Sequence, residues 1–184
     1  MNRHTRSSRR AIALALLSLA MPACLAAQSG EALIQKLGAT RPVENVTFHA
    51  DKSAEYKVAW DVTETPAKPD VAVGGLSRPA GLLVQLTSDG VDRKRIHLAL
   101  IVHGGSTFSI MTNAGYRAMH GVDNPNLATL EALNAAGVEI IVCGQALLSR
   151  KVPRDQVLPF VKVAMSATSA RAILHAQGYA AFTP

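Results

Sequence analysis

The chain has 184 residues, 48% of them hydrophobic and 4% aromatic, with 19 Lys and Arg against 13 Asp and Glu. That apolar share excludes a disordered chain, and two cysteines exclude a disulfide-built scaffold. Arg3, Arg6, Arg9 and Arg10 stand at the N-terminus with no acid beside them; setting them aside leaves 15 basic against 13 acidic residues, so the net charge of +6 falls to about +2.

The basic character therefore belongs to the N-terminus, and no nucleic-acid partner is expected. An apolar run over residues 11–19 follows, then Ala23-Cys24-Leu25-Ala26-Ala27. A basic start, a short apolar core and small residues before a polar stretch make a secretory signal peptide, cleaved after Ala26 or Ala27. The run is too short for a membrane span. Ser8-Arg9-Arg10-Ala11-Ile12 is a loose twin-arginine pattern, which leaves the export route open. Met21-Pro22-Ala23-Cys24 is a weak lipoprotein box that would anchor the chain at Cys24. The expected organisation is a signal peptide over residues 1–27, an N-terminal extension over 28–55 and one domain over 56–184, in the periplasm.

Residues 31–37 suit a short helix closed by Gly38, and 41–52 are irregular, with His49 in a surface loop. Residues 56–62 alternate as a strand does. The loop over 63–79 carries Pro66, Pro69 and Gly74-Gly75; loops of that length in a compact domain serve a site or are mobile. A helix over 79–87, with Pro79 near its first position, ends at Asp89-Gly90. Residues 96–102 are a continuous apolar run and read as a buried strand, leading into His103-Gly104-Gly105-Ser106. A helical pattern covers 108–119, with Asn113 and Tyr116 on its polar side.

Asp123-Asn124-Pro125-Asn126 is a turn that caps a helix over 127–136, closed by Gly137. A β-branched strand over 138–142 runs into Cys143, Gly144 makes the turn, and 145–150 start a helix that breaks before Pro153. A short strand over 161–164, a helix capped by Ser166 and a last strand over 179–182 complete the chain. Strands alternating with helices predict a three-layer α/β/α domain around a mostly parallel five-stranded sheet. Right-handed crossovers then bring the strand ends bearing His103 and Cys143 to one rim.

With Cys24 removed or lipidated, Cys143 is a lone thiol in an oxidising compartment, which points to a reactive group or an intermolecular partner. Free cysteines are also often small buried hydrophobes. A thiol at a strand end before a helix stands where open α/β sheets place ligands. His103 on the same rim either pairs with the thiol, as in Cys–His nucleophiles, or bonds a loop carbonyl. Gly104, Gly105 and Ser106 offer backbone N–H groups for an anion; Gly144 and Gln145 offer an N–H and an amide beside the sulfur. Asn113 and Tyr116 are supporting candidates, Ser166 is a cap before it is a nucleophile, and Asp61 and Thr63 are weaker candidates still. No dinucleotide, Walker or zinc-ligand spacing occurs, so no cofactor or metal is expected.

Val102-His103-Gly104-Gly105, Asn124-Pro125-Asn126-Leu127, Gly137-Val138-Glu139-Ile140, Val142-Cys143-Gly144-Gln145 and Gly178-Tyr179, in this order, resemble the DsrE/DsrF-like family of sulfur-relay proteins, most closely its exported members. The likeness runs from about Lys57 to Phe182. It implies a flavodoxin-like fold and a homo-oligomer of trimer or hexamer type. In the family's sulfur-relay members the cysteine matching Cys143 accepts a persulfide sulfur and passes it on. The expected function is accordingly a sulfur carrier, at most a sulfurtransferase, served by a sulfur donor and an acceptor thiol. The alternative is a non-catalytic ligand-binding or assembly module with a structural cysteine.

Overall fold

The computed structural model describes the backbone of residues 21–182 and the side chains from Gly30 onward. Five strands, β1 (Tyr56–Val62), β2 (Ile96–Val102), β3 (Glu139–Cys143), β4 (Lys162–Ala164) and β5 (Ala180–Phe182), form one sheet. Its order is β4-β3-β2-β1-β5, and every pairing is parallel. The helices are α1 (Met21–Gly38), α2 (Arg78–Ser88), α3 (Asn113–His120), α4 (Leu127–Ala135), α5 (Gly144–Ser149) and α6 (Ala167–Ala176). This is the parallel α/β architecture that the alternation of elements predicts, consistent with the flavodoxin-like fold that the family resemblance implies.

Side chains alternate across each strand, so the sheet has two chemically different faces. One presents Val58, Val62, Leu98, Leu100, Val102, Ile140 and Val142 to α1, α2 and α4 and holds most of the core. The other presents Ala59, Ala99, Ile101, Ile141 and Cys143 to Ala167, Ala170 and Leu174 of α6. The alanines on both sides of this second layer let α6 lie close to the sheet. Gly137 and Gly178 follow α4 and α6 with φ of +78° and +87°, the left-handed closure that an L side chain would strain.

Two boundaries differ from the sequence reading. Residues 104–110 form 3-10 turns, Met111 bridges to Val157, and α3 starts only at Asn113, where the Thr112 hydroxyl accepts from the Gly115 N–H at 3.2 Å. A cap by Thr112, absent from the sequence reading, delays the helix by one and a half turns. Part of the expected N-terminal extension belongs to the domain: α1 docks on α2 and α4, and Ile34 is 1% exposed in the main core. Of the expected signal peptide, residues 1–20 lie outside the described residues, and α1 runs through both candidate cleavage points. Among the described residues no helix is long and apolar enough to cross a membrane.

Candidate functional site

The register sets the site. Asp61 pairs with Ile101, and Val102 pairs with Val142, so one residue further on His103 lies level with Cys143 on the neighbouring strand. Asp61, His103 and Cys143 all occupy odd positions that share the alanine-lined face, and His103 keeps an extended backbone at φ −156°. Cα atoms at this spacing are about 5 Å apart. Even so, the imidazole turns to the other strand: its Nε2 lies 3.0 Å from Asp61 Oδ1. Among the described residues no hydrogen bond reaches the Cys143 sulfur. His103 thus takes neither of the partners expected for it, thiol or loop carbonyl, because a buried carboxylate two strands from the cysteine competes for the ring.

Asp61 is 2% exposed, and an acid that deep is ordinarily paired. Its second oxygen accepts from Arg171 Nε at 2.8 Å, while Arg171 Nη2 lies 3.4 Å from His103 Nε2. Arg171 comes from α6, one turn after the buried Ala167 and beside Ala170, so the helix that covers the alanine face also delivers a cation to its rim. The guanidinium is held above its usual value, first by the hydrogen bond to Asp61, against burial, and then by the charges of Asp61 and Cys143. The arrangement is an anchored positive charge with an oriented imidazole next to it, on the same rim as the thiol. With Nε2 given to Asp61, His103 Nδ1 has no hydrogen-bond partner among the described residues.

Cys143 itself is 7% exposed, packed among Ile101, Ile141, Ala146, Ala167 and Ala170. The other expected residues divide. Gly144 is needed for close packing, since a Cβ there would stand 2.8 Å from the Ala164 carbonyl oxygen; Gln145 is exposed beside it. The Gly105 N–H donates to the Thr63 carbonyl at 3.0 Å and so is not available to an anion, and the Ser106 hydroxyl donates to the carbonyls of Val62 and His103. Thr63 serves the site through that carbonyl. Gly105 also presses against Thr65, leaving no room for a side chain.

Asn113 and Tyr116 belong to the opposite side of the rim. Asn113 Oδ1 accepts from the Asn124 N–H, and the Tyr116 hydroxyl donates to the Pro69 carbonyl at 2.8 Å. Ser166 is a cap, sharing reciprocal hydrogen bonds of 3.0 Å with Ser169. Sequence reasoning gave Asp61 too little weight and missed Arg171. The signal for Arg171 was present: a cation inside the apolar stripe Ala167, Ala170, Leu174 of an otherwise ordinary amphipathic helix.

A family model described as the DsrE/DsrF-like family matches residues 81–184. The chain belongs to the DsrE/DsrF-like family. That family is associated with sulfur relay, and the matched region contains His103, Cys143 and Arg171, with Asp61 lying N-terminal to it. Among solved structures the chain is similar to a protein of unknown function, MTH1491 from Methanobacterium thermoautotrophicum. The two are 16% identical with a TM-score of 0.50, over 71% of this chain and 100% of that one, a likeness of fold. No curated protein matches the chain.

Proposed function

We propose that this DsrE/DsrF-like chain is an exported sulfur carrier whose Cys143 accepts a persulfide sulfur and surrenders it to an acceptor thiol. The observation that carries the reading is the Arg171 guanidinium, fixed on buried Asp61 at the rim of the alanine-lined face that also carries Cys143. In the forward step the Cys143 thiolate attacks the outer sulfur of a donor persulfide R–S–SH. A new Cys143–S bond forms, the donor S–S bond breaks, and R–S⁻ leaves, with no net oxidation. A second thiolate removes the outer sulfur in the same way. A fixed cation favours each anionic sulfur along this path. His103, oriented through Nε2 by Asp61, presents Nδ1 as the group that takes or returns the proton.

The signal-like N-terminus supports a periplasmic location, by either export route or with a lipid at Cys24. A homo-oligomer of trimer or hexamer type fits the β4 edge, where Val163, Met165 and Ile173 stand exposed around a strand of three residues. A second reading, a binding or assembly module with a structural cysteine, draws on one specific observation: the 7% exposure of Cys143 within an aliphatic layer. Reaction of Cys143 with methyl methanethiosulfonate and with a bulky aromatic disulfide separates the two, in a Cys24→Ala background. The carrier reading expects the small reagent to react at least as fast as with free cysteine and the bulky one to lag. A thiol slow to both belongs to the module.

A further inference from the structure

A cavity of about 270 Å³ opens at the same rim of the sheet on the face opposite Cys143, between the loop after β1, the 3-10 turns after β2, α3 and Arg150. That is near the small end of ordinary ligand pockets, roughly 300–1,000 Å³, and suits a metabolite. Its wall is largely apolar, built from Pro66, Pro69, Val73, Phe108 and Tyr116. The roof is preorganised by two prolines and by the Tyr116 hydroxyl on the Pro69 carbonyl.

Two features of this wall have no internal explanation. Ser109 Oγ and His120 Nε2 are the buried side-chain polar atoms without a hydrogen-bond partner among the described residues, and both residues line this cavity. Native proteins rarely leave such atoms unpaired, because each one forfeits its bonds to water. Lys68 and Arg150 also line it, neither has a carboxylate partner among the described residues, and the wall contains no acid. The imidazole of His120 stands edge-on to Phe108, centroids 5.1 Å apart, and tilted on Tyr116 at 4.4 Å, which makes one side an aromatic surface.

We infer that this cavity binds a small aromatic carboxylate. The carboxylate meets Lys68 and Arg150, and the ring lies on the Phe108, Tyr116 and His120 surface. An inorganic anion matches the cations and leaves the apolar wall wet; a neutral ring matches the wall and leaves both cations unpaired. The Cys143 thiol takes no part.

Calorimetric titration of the full chain with benzoate, 4-hydroxybenzoate, benzamide, acetate and sulfate tests the inference. The expected result is saturable one-to-one binding of the two aromatic acids, with benzamide, acetate and sulfate each at least tenfold weaker. The double variant Lys68→Gln/Arg150→Gln, at exposed and half-exposed positions, should lose tenfold for benzoate while its affinity for benzamide and its melting curve stay put. Cys143→Ala should bind benzoate as the parent chain does, so failure of the sulfur-carrier reading leaves this result standing. Absence of saturable binding by both aromatic acids overturns the inference, as does benzamide, acetate or sulfate binding as tightly as benzoate, or benzoate binding unchanged in the double variant.

Discussion

Replacing Asp61 by Asn tests how the rim is held together. The carboxylate is 2% exposed and accepts from Arg171 Nε at 2.8 Å and His103 Nε2 at 3.0 Å. Hydrogen bonds to charged groups contribute about 1.5–3 kcal/mol each, and removing one member of a buried ion pair costs about 3–5 kcal/mol. Here Arg171 is 34% exposed and His103 22%, so water recovers part of the orphaned charge and the lower end applies, ~3 kcal/mol. Asn keeps the shape but turns one donor toward another donor. Urea unfolding followed by circular dichroism reads the effect: with a slope of ~2 kcal/mol per molar, the midpoint should fall by ~1.5 M. Arg171→Met removes the other partner, and the double variant should lose less than the sum of the two, because both changes break one interaction. A midpoint for Asp61→Asn within ~0.25 M of the parent would refute the anchoring role, and with it the reason for a fixed cation at the rim that carries Cys143.

Two further outcomes follow from the surface. His49 lies 3.1 Å from Asp89, its pKa raised above 6.5 first by that hydrogen bond, while Asp89 is lowered below 3.8, first by the Ala50 N–H and then by His49. The His49 contribution to stability is complete below 6.5 and fades as pH rises through its raised value. The Asp89 contribution is present above 3.8 and fades as pH falls through its lowered value. Proton NMR of the His49 ring should show a midpoint above 6.5 that drops in Asp89→Asn; an unchanged midpoint contradicts the pairing. Sedimentation equilibrium should return a multiple of the 19.4 kDa chain mass, reduced toward one copy by Ile173→Glu on the exposed side of α6, whereas a monomeric parent chain removes the oligomer.

The sheet was legible because its central strands are unbroken apolar or alternating runs: β1 and β2 keep the bounds that residues 56–62 and 96–102 suggest. Ser166 and the glycines after α4 and α6 marked their helix ends by known local chemistry. Two matters were not legible. The start of α3 depends on a Thr112 cap competing with a 3-10 turn, a balance of a few hydrogen bonds. The role of α1 depends on where Ile34 docks, which is tertiary packing.

The site itself was half visible. Cys143 and His103 announce themselves at strand ends, yet their relation depends on strand order, and strand order is not local. Asp61 lies two strands from Cys143 and 110 residues from Arg171, so the cluster exists only once α6 crosses the alanine face. A lone acid at an inward strand position and a lone cation in an apolar helix stripe are each ambiguous. Together they identify one another, since each removes the other's reason to avoid burial.

Sulfur loading of Cys143 bears most directly on the function. The full chain, with Cys24→Ala to leave one thiol, is exposed to a persulfide donor, freed of excess and weighed intact. A gain of one sulfur atom that disappears in Cys143→Ala, weakens in Arg171→Gln and is released as persulfide to an added thiol is the predicted result. A chain that emerges at its original mass, or whose added sulfur survives the loss of Cys143, contradicts it.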